Sequence, residues 1–230
     1  MKYKYIITPL LAMTVITLIA QNMSPFLKAT QSGWYPKFLN PVVDTITSNS
    51  EYRKILDIGT GPGTLPQILI KKDSSLQIVG IDIDSVMIDE ARRRFTHKNV
   101  SFQYEKVNEK LEFKNEEFDV VTFCSVLFLL DDSTKSFLIY EALRVLKPEG
   151  KIIVLTPSGK KSRFTSFSEI WSFPYSKYNW TYFVWKKLTS SGGKKWQKEK
   201  WLENFAQKEQ LKYTSILTFN DNARLEIISK

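Results

Sequence analysis

Short apolar runs alternate with helix-like segments through the middle of the chain. Five runs predict buried strands, in the segments KILDI, LQIVGIDID, VSFQYEKV, FDVVTFCSV and KIIVLTP. Strands that are apolar throughout, separated by helices, are typical of a parallel sheet that is covered on both faces. The sequence therefore predicts a doubly wound α/β fold between residues 54 and 157.

Three helices are predicted between these strands. The first runs from Thr64 to about Lys71, and the second is SVMIDEARRRF with Ser85 as its N-cap. The third is TKSFLIYEALRVLK, which Pro148 and Gly150 are expected to stop. Each helix is placed to return the chain to the start of the next parallel strand.

The pattern changes after Ser158. A helix is expected near WLENFAQKEQ, and LKYTSILTF and ARLEIISK predict an antiparallel hairpin. The segment SSGG, Ser190–Gly193, predicts a flexible joint. We therefore expect a mostly parallel sheet with a C-terminal antiparallel hairpin.

Composition limits the kind of protein. With 230 residues, 43% hydrophobic and 25% charged, the chain is typical of one globular domain with additions. The single cysteine, Cys124, excludes an internal disulfide and any cysteine-cluster metal site. Residues 159–230 carry 14 Lys and Arg against 6 Asp and Glu, which favours an anionic partner without identifying it.

The N-terminal segment 1–30 is apolar, and no charged residue occurs from Tyr5 to Leu27. Three interpretations stay open: a membrane anchor, an export signal cleaved near Ala20, and a helix packed on the domain. The expected organisation is an anchor at 1–30 and one domain at 31–230. An aromatic and basic insertion is expected at about 159–196 of that domain.

The segment ILDIGTGPGTLP ends the first predicted strand with Gly59, Gly61 and Gly63. Glycines at a strand-to-helix turn allow positive φ angles and close approach of a ligand to free backbone N–H groups. Asp82 ends the second predicted strand, where a carboxylate accepts hydrogen bonds from ribose hydroxyls. The dinucleotide fingerprint would place its third small residue at Thr64, which is not a glycine.

With Asp57 ahead of the glycines, this loop resembles the D-x-G-x-G loop of class I S-adenosylmethionine-dependent methyltransferases. VGIDIDSVMIDEARRR, FDVVTFCSVLFLLDD and EALRVLKPEGKIIVLTP are similar to later segments of that family, in the same order. The resemblance covers about residues 53–157. It implies a Rossmann-like sheet, S-adenosylmethionine as the cofactor, and an enzyme that transfers a methyl group.

The resemblance implies ten cofactor-binding positions: Asp57, Gly59, Thr60, Gly61, Asp82, Ile83, Met87, Asn108, Phe123 and Cys124. Asp57 would meet the methionine ammonium group, and Asp82 the ribose. The main chain after the fourth strand would lie near the methionine moiety. Ile83 and Met87 would border the adenine. For Met87 and Cys124, ordinary packing in the core stays open as the alternative. The chain departs from the family at Asn108, which stands near the position of an aspartate that meets the adenine amino group.

No catalytic residue is assigned. The only histidine, His97, follows the helix that returns to the amino ends of the strands, away from the expected site. Many family members carry a histidine after the fourth strand, where this chain has apolar residues from Val126 to Leu130. No metal-ligand spacing occurs, and Asp131 and Asp132 are expected to cap the helix that begins near Thr134.

Seven aromatic residues recur at helical spacing: Phe164, Phe167, Trp171, Tyr175, Tyr178, Tyr182 and Trp185. Pro174 should divide them between two helices. They predict either core packing or a wall over the acceptor site. Interleaved lysines with Trp196 and Trp201 are also typical of a membrane-interface surface.

These features favour methyl transfer to a small, hydrophobic or lipid-like acceptor. The domain is then expected on the cytoplasmic side of a membrane, with a soluble cytoplasmic protein as the alternative, because the cofactor is supplied in the cytosol. The alternative function is a membrane-associated or RNA-binding module with a vestigial cofactor pocket. RNA stays open as a partner, and DNA is not expected.

Overall fold

The computed structural model describes residues 25–106, 109–160 and 168–230. Its centre is one seven-stranded sheet with the order β3-β2-β1-β4-β5-β7-β6. The strands are β1 Lys54–Ile58, β2 Gln77–Asp82, β3 Val100–Tyr104, β4 Phe118–Cys124, β5 Leu146–Pro157, β6 Lys212–Thr218 and β7 Ala223–Ser229.

Strands β1 to β5 are parallel, and β7 is antiparallel to both β5 and β6. The predicted doubly wound sheet and its antiparallel hairpin are therefore confirmed. The chain moves outward from β1 to β3 and then returns to β4, so the strand order reverses between β1 and β4. The carboxyl ends of these two strands form the crevice in which such sheets bind ligands.

Eight helices accompany the sheet in the described part of the chain. They are α1 (25–29), α2 Trp34–Thr47, α3 Thr64–Lys72, α4 Ser85–Arg94, α5 Asp132–Val145, α6 (168–171), α7 Thr181–Glu199 and α8 Trp201–Lys208, with a 3₁₀ turn at Leu127–Leu129. Asp131 caps α5 by accepting from the Thr134 N–H at 2.9 Å, as expected, but Asp132 is the first helical residue rather than a cap, so the helix begins two residues before Thr134. The prediction of Ser85 as a cap is wrong, because Asp84 accepts from the Val86 N–H at 2.9 Å and Ser85 is the first helical residue.

The predicted joint at Ser190–Gly193 is also wrong, since this segment lies inside α7. A Cβ atom on Gly193 would lie 2.4 Å from the Pro157 carbonyl oxygen, and one on Gly192 would lie 2.7 Å from the Phe128 ring. The two glycines thus let α7 pack closely against the end of β5 and the 3₁₀ turn. Helix packing, rather than chain flexibility, explains them.

Helix α5 ends at Val145 and β5 begins at Leu146, before the expected stop at Pro148 and Gly150. Strand pairing accounts for this earlier end, because Leu146 already pairs with Phe118 of β4. The register shifts between Phe118 and Val120, which accommodates the irregular start of β5. Pro148 and Gly150 therefore lie in the strand.

Helix α2, which the sequence reading does not assign, covers one face of the sheet. Trp34, Phe38, Val42 and Ile46 recur at intervals of four residues and are completely buried. They belong to the core that also contains Ile55 and neighbouring residues of β4, β5 and β7. The opposite core packs α5 and α8 on the other face of the sheet.

The aromatic residues after β5 divide between core and surface. Tyr182 is completely buried, whereas Trp171 and Tyr175 point into solvent. Pro174 lies between α6 and α7, as expected. The predicted interfacial role of Trp196 is wrong, because its side chain is 3% exposed and its indole N–H donates to Glu226.

Three groups of sequence predictions fall outside the described residues: most of the apolar segment, at 1–24; Asn108; and the aromatic residues Phe164 and Phe167. Within the described ranges, no helix combines the length and the hydropathy needed to cross a membrane. The described chain begins at residue 25, and α1 already packs on the domain: Ala29 and Thr30 are buried.

Candidate active site

The glycine loop follows β1 at the point where the strand order reverses. Gly59 has φ +73°, and its N–H donates to the Ile81 carbonyl of β2 at 2.8 Å. A Cβ atom on Gly59 would lie 2.3 Å from Cγ2 of Val126, which follows β4. Only glycine meets both the backbone and the space requirement at this position.

Asp82, the last residue of β2, ties the loop to the neighbouring strand. One carboxylate oxygen accepts from the Gly61 N–H at 2.8 Å, and the other accepts from the Asp84 N–H at 2.9 Å. Burial raises the pKa of this carboxyl group above its usual value. Each oxygen retains acceptor capacity, so the carboxylate still fits two ribose hydroxyls. Ile83, the next residue, is half-exposed at the same edge.

Asp57 lies inside the sheet, on β1, with 2% of its surface exposed. Its carboxylate accepts from the Thr122 hydroxyl of β4 at 2.6 Å. Burial raises the pKa of Asp57 to about 6, so the group is mainly ionised at neutral pH. Among the described side chains, none forms an ion pair with Asp57, and a buried carboxylate without a cationic partner fits an ammonium group.

Two buried hydroxyl groups at this edge lack partners. Thr60 Oγ1 lies near the Asp57 carboxylate without a hydrogen bond of normal geometry, and Ser125 Oγ has no partner in the described structure. Ser125 also has φ +61°, a strained conformation for a residue that is not glycine. Unsatisfied polar atoms beside strained backbone fit a bound polar ligand. No sequence signal marks Ser125, which the sequence reading missed.

The residues that end β4 point to opposite faces. Phe123 is completely buried in the core on the α5 face, so only its main chain reaches the edge. Cys124 packs against the core on the α2 face. Burial, and secondarily the Asp57 charge, raise the pKa of the Cys124 thiol well above its usual value. Cys124 is therefore not a thiolate nucleophile. Met87 is a buried residue of α4.

Two aromatic residues near the N-terminus cover the loop, and the sequence reading missed both. The Phe26 ring lies 3.3 Å from the position of a Cβ atom on Gly61. Tyr35 of α2 is buried, and burial, followed by Cys124 and Asp57, raises the pKa of its hydroxyl. The ring centroids of Phe26 and Tyr35 are 6.2 Å apart. The four-residue periodicity of α2 predicts that helix, but it includes neither Phe26 nor Tyr35.

The segment after β4 supplies no proton acceptor. From Val126 to Leu130 every side chain is apolar. His97 lies just before β3, at the amino end of the sheet, and its Nδ1 accepts from the Asn99 N–H at 3.2 Å. In residues 25–106, 109–160 and 168–230 no three His, Cys, Asp or Glu side chains form a potential metal site.

A separate cavity of about 370 Å³ opens on the outer side of the loop. It lies between the start of α3, at Gly63 and Thr64, and the end of α4, at Arg93 and Arg94. Neither Asp57 nor Asp82 lines this cavity. The two carboxylates therefore define a different edge, over the carboxyl ends of β1 and β2.

Comparison with known proteins agrees with this arrangement. A family model described as a methyltransferase domain matches residues 49–219. A demethylmenaquinone methyltransferase from Thermotoga maritima is 31% identical over 176 residues, which cover 75% of this chain and 72% of that protein. A ubiquinone/menaquinone biosynthesis C-methyltransferase from Desulfotalea psychrophila is 34% identical over 109 residues, covering 46% of this chain and less than half, 43%, of the relative.

Solved structures share the fold. An S-adenosylmethionine-dependent methyltransferase from Aquifex aeolicus superposes with a TM-score of 0.62 at 14% identity, covering 89% of this chain and 97% of that chain. The matched family, the sheet topology and the placement of the glycine loop agree with one another. The chain belongs to the class I S-adenosylmethionine-dependent methyltransferase family.

Proposed function

We propose that the protein transfers the methyl group of S-adenosylmethionine to a small, lipid-like acceptor. The observation that carries the proposal is the joined edge of β1 and β2, where Asp82 accepts from the Gly61 N–H and Asp57 lies buried with no cationic partner among the described residues. When bound, the cofactor supplies a methyl group that its sulfonium already activates. The protein's own task is then to bind, orient and exclude water.

The two carboxylates hold the two ends of the cofactor in this proposal. Asp57 would accept from the methionine ammonium group, directly or through water, and Asp82 would accept from the ribose hydroxyls. Gly59 and Gly61 give the ligand close access to the main chain. Because the Asp82 carboxylate also accepts from the Gly61 N–H, it would fix the position of the ribose relative to the glycine loop.

The remaining contacts come from residues around this edge. Ile83 and Met87 would border the adenine, and the main chain of Phe123 and Cys124 would lie beside the methionine moiety. The unpartnered hydroxyls of Thr60 and Ser125 are available to polar groups of the ligands. The adenine contact of Asn108 stays a prediction, because this residue lies outside the described structure.

The surroundings of the transferred methyl group favour an apolar acceptor. Val126 packs over Gly59, and Leu129 is exposed on the 3₁₀ turn that follows. These side chains offer no base, so the acceptor must present its own reactive atom, and catalysis depends on alignment. The Thermotoga relative is named for a quinone substrate, which supports an acceptor of lipid-like character here.

We place the domain at a membrane on its cytoplasmic side. The uncharged segment from Tyr5 to Leu27 is long enough to span or to lie in a bilayer interface. The cofactor is expected in the cytosol, which argues against an exported domain. A lipid-like acceptor would also reach the site from the same bilayer.

Labelled methyl transfer tests the proposed function. The full chain is incubated with methyl-labelled S-adenosylmethionine and, separately, with a cellular lipid extract and total RNA. Label should appear in the lipid fraction and be strongly reduced for Asp82→Ala. Label in the RNA would show that RNA, and not a lipid-like molecule, is the acceptor. Cofactor binding without label in either the lipid extract or the RNA would favour a vestigial cofactor pocket.

A further inference from the structure

The two most exposed large aromatic side chains of the described structure, Tyr175 and Trp171, lie close together in the chain, at the end of α6 and just after it, and a third exposed ring, Trp180, precedes α7. Tyr175 is 97% exposed, Trp171 is 87% exposed, and Trp180 is 46% exposed. Three large rings kept in water within ten residues are unusual on a soluble surface without a binding role. We call Trp171, Tyr175 and Trp180 the aromatic surface.

The segment that carries these rings is fixed to the start of α2. Four hydrogen bonds join residues 172–181 to residues 31–37: Lys37 Nζ to Ser172 O at 2.8 Å, Ser176 Oγ to Gln31 O at 3.1 Å, Gly33 N to Asn179 Oδ1 at 2.8 Å, and Trp34 Nε1 to Thr181 Oγ1 at 3.0 Å. A Cβ atom on Gly33 would lie 2.0 Å from the Pro174 carbonyl oxygen. The rings are therefore presented by a well-anchored segment.

This anchoring places the aromatic surface beside the entry of the apolar N-terminal segment. The uncharged stretch ends at Leu27, and the turn that holds the aromatic segment begins only a few residues later, at Gln31. The described end of the uncharged stretch is thus close in the chain to the segment that carries the exposed rings. The proximity follows from hydrogen bonds and does not depend on the structure of residues 1–24.

The charges around the rings have one sign. Lys37 and Lys177 are exposed beside them. Glu169 is the only acidic residue between 168 and 180, and it is turned inward. Its carboxylate accepts from the Tyr182 hydroxyl at 2.6 Å and from Asn222 at 2.9 Å. The outward face therefore combines aromatic rings with cations.

We propose that the aromatic surface, with Lys37 and Lys177, docks on an anionic lipid bilayer. Tryptophan and tyrosine rings settle at the headgroup level, while lysines are attracted to anionic lipids. A single weak membrane signal gives marginal binding, and a second signal beside it makes binding stable. The inference rests on the proposed membrane location and identifies the second contact surface.

Vesicle co-sedimentation of the full chain tests this surface. The vesicles contain phosphatidylcholine with or without phosphatidylglycerol. Trp171→Ala/Tyr175→Ala should lower the bound-to-free ratio about tenfold or more on the anionic vesicles. Lys177→Gln, which leaves the four anchoring hydrogen bonds in place, should reduce the preference for anionic over neutral vesicles. Tyr140→Ala is the matched control, because it removes an exposed ring from α5 on the opposite face of the sheet. This variant should bind both kinds of vesicle as the wild type does.

Binding of S-adenosylhomocysteine separates this inference from the proposed function. Every variant should bind it as the wild type does. If the double aromatic variant loses S-adenosylhomocysteine binding, the vesicle test is repeated with Tyr175→Ala alone. This side chain is almost entirely in solvent, so its removal should not disturb the fold. The single variant should show a smaller loss of vesicle binding than the double variant. Unchanged vesicle binding by the aromatic variants, or no binding by the wild type, overturns the docking surface and leaves methyl transfer intact. A change in oligomeric state in place of vesicle binding would assign the surface to a second copy and overturn it too.

Discussion

The backbone N–H of Gly61 donates to the carboxylate of Asp82 at 2.8 Å and joins the loop after β1 to the end of β2. The second carboxylate oxygen accepts from the Asp84 N–H, which lies at the N-terminus of α4. One side chain thereby fixes the positions of a loop, a strand end and a helix start. In the proposed site, the same carboxylate would accept hydrogen bonds from the ribose hydroxyls.

Asp82→Ala should weaken S-adenosylhomocysteine binding by about one to two powers of ten, because charge-assisted hydrogen bonds contribute about 1.5–3 kcal/mol. Isothermal titration calorimetry measures the change. Asp82→Asn is the matched control: it keeps one oxygen acceptor and should lose less affinity than the alanine variant. An unchanged dissociation constant for Asp82→Ala would exclude this residue as the ribose ligand.

Alanine substitutions at Gly59 and Gly61 compare the effect of a steric clash with the effect of backbone strain alone in the glycine loop. Both have positive φ, but a Cβ atom would lie 2.3 Å from Val126 at Gly59 and 3.3 Å from the Phe26 ring at Gly61. Gly61→Ala should lower the free energy of unfolding by about 1 kcal/mol from backbone strain, and Gly59→Ala by at least about 2 kcal/mol, since it adds a steric clash. Urea unfolding provides the comparison. Equal losses would show that the Val126 contact does not restrict the loop.

Asp57 should make stability depend on pH. Burial raises its pKa in the folded chain from 3.8 to about 6, so the folded state binds a proton more tightly than the unfolded state. The free energy of unfolding, relative to Asp57→Asn, should therefore fall as the pH rises from 3.8 to about 6, and stay constant above that range. The total change should be about 2–3 kcal/mol. Parallel pH profiles for the two proteins would contradict this assignment.

The N-terminal segment should control membrane association. Removing residues 1–24 should move most of the protein from the membrane to the soluble fraction in moderate salt and leave S-adenosylhomocysteine affinity unchanged. The deletion ends at 24 because Ala29 and Thr30 are buried, and Thr30 accepts from Arg94 at 2.9 Å. Cell fractionation measures the distribution. A full chain that is soluble, or a truncated chain that fails to fold, would show that the segment is a packed part of the domain.

The sequence predicts the sheet well because its central strands are buried on both faces and read as continuous apolar runs. Asp57, the glycines and Asp82 could be located for a related reason: each lies in or directly after the last two residues of such a strand. The periodicity of Trp34, Phe38, Val42 and Ile46 is also a sequence signal, and it predicts α2.

Other features depend on tertiary contacts that no local pattern reports. The Ser190–Gly193 segment resembles a linker, yet its glycines serve close packing of α7 on β5. Trp196 resembles an interfacial ring, but its indole N–H finds a buried partner on β7, Glu226. Ser125 has a positive φ angle and an unpartnered hydroxyl at the end of β4, where its N–H donates to the Leu155 carbonyl of β5. Long-range neighbours decide each of these outcomes.

Ligand discrimination by calorimetry tests the central claim most directly. The full chain is titrated with S-adenosylmethionine, S-adenosylhomocysteine and NAD under the same conditions. Asp57 and Asp82, with the loop between β1 and α3, should bind the first two ligands and show no comparable affinity for NAD. Tighter binding of NAD, or no binding of either S-adenosyl compound, would contradict the account.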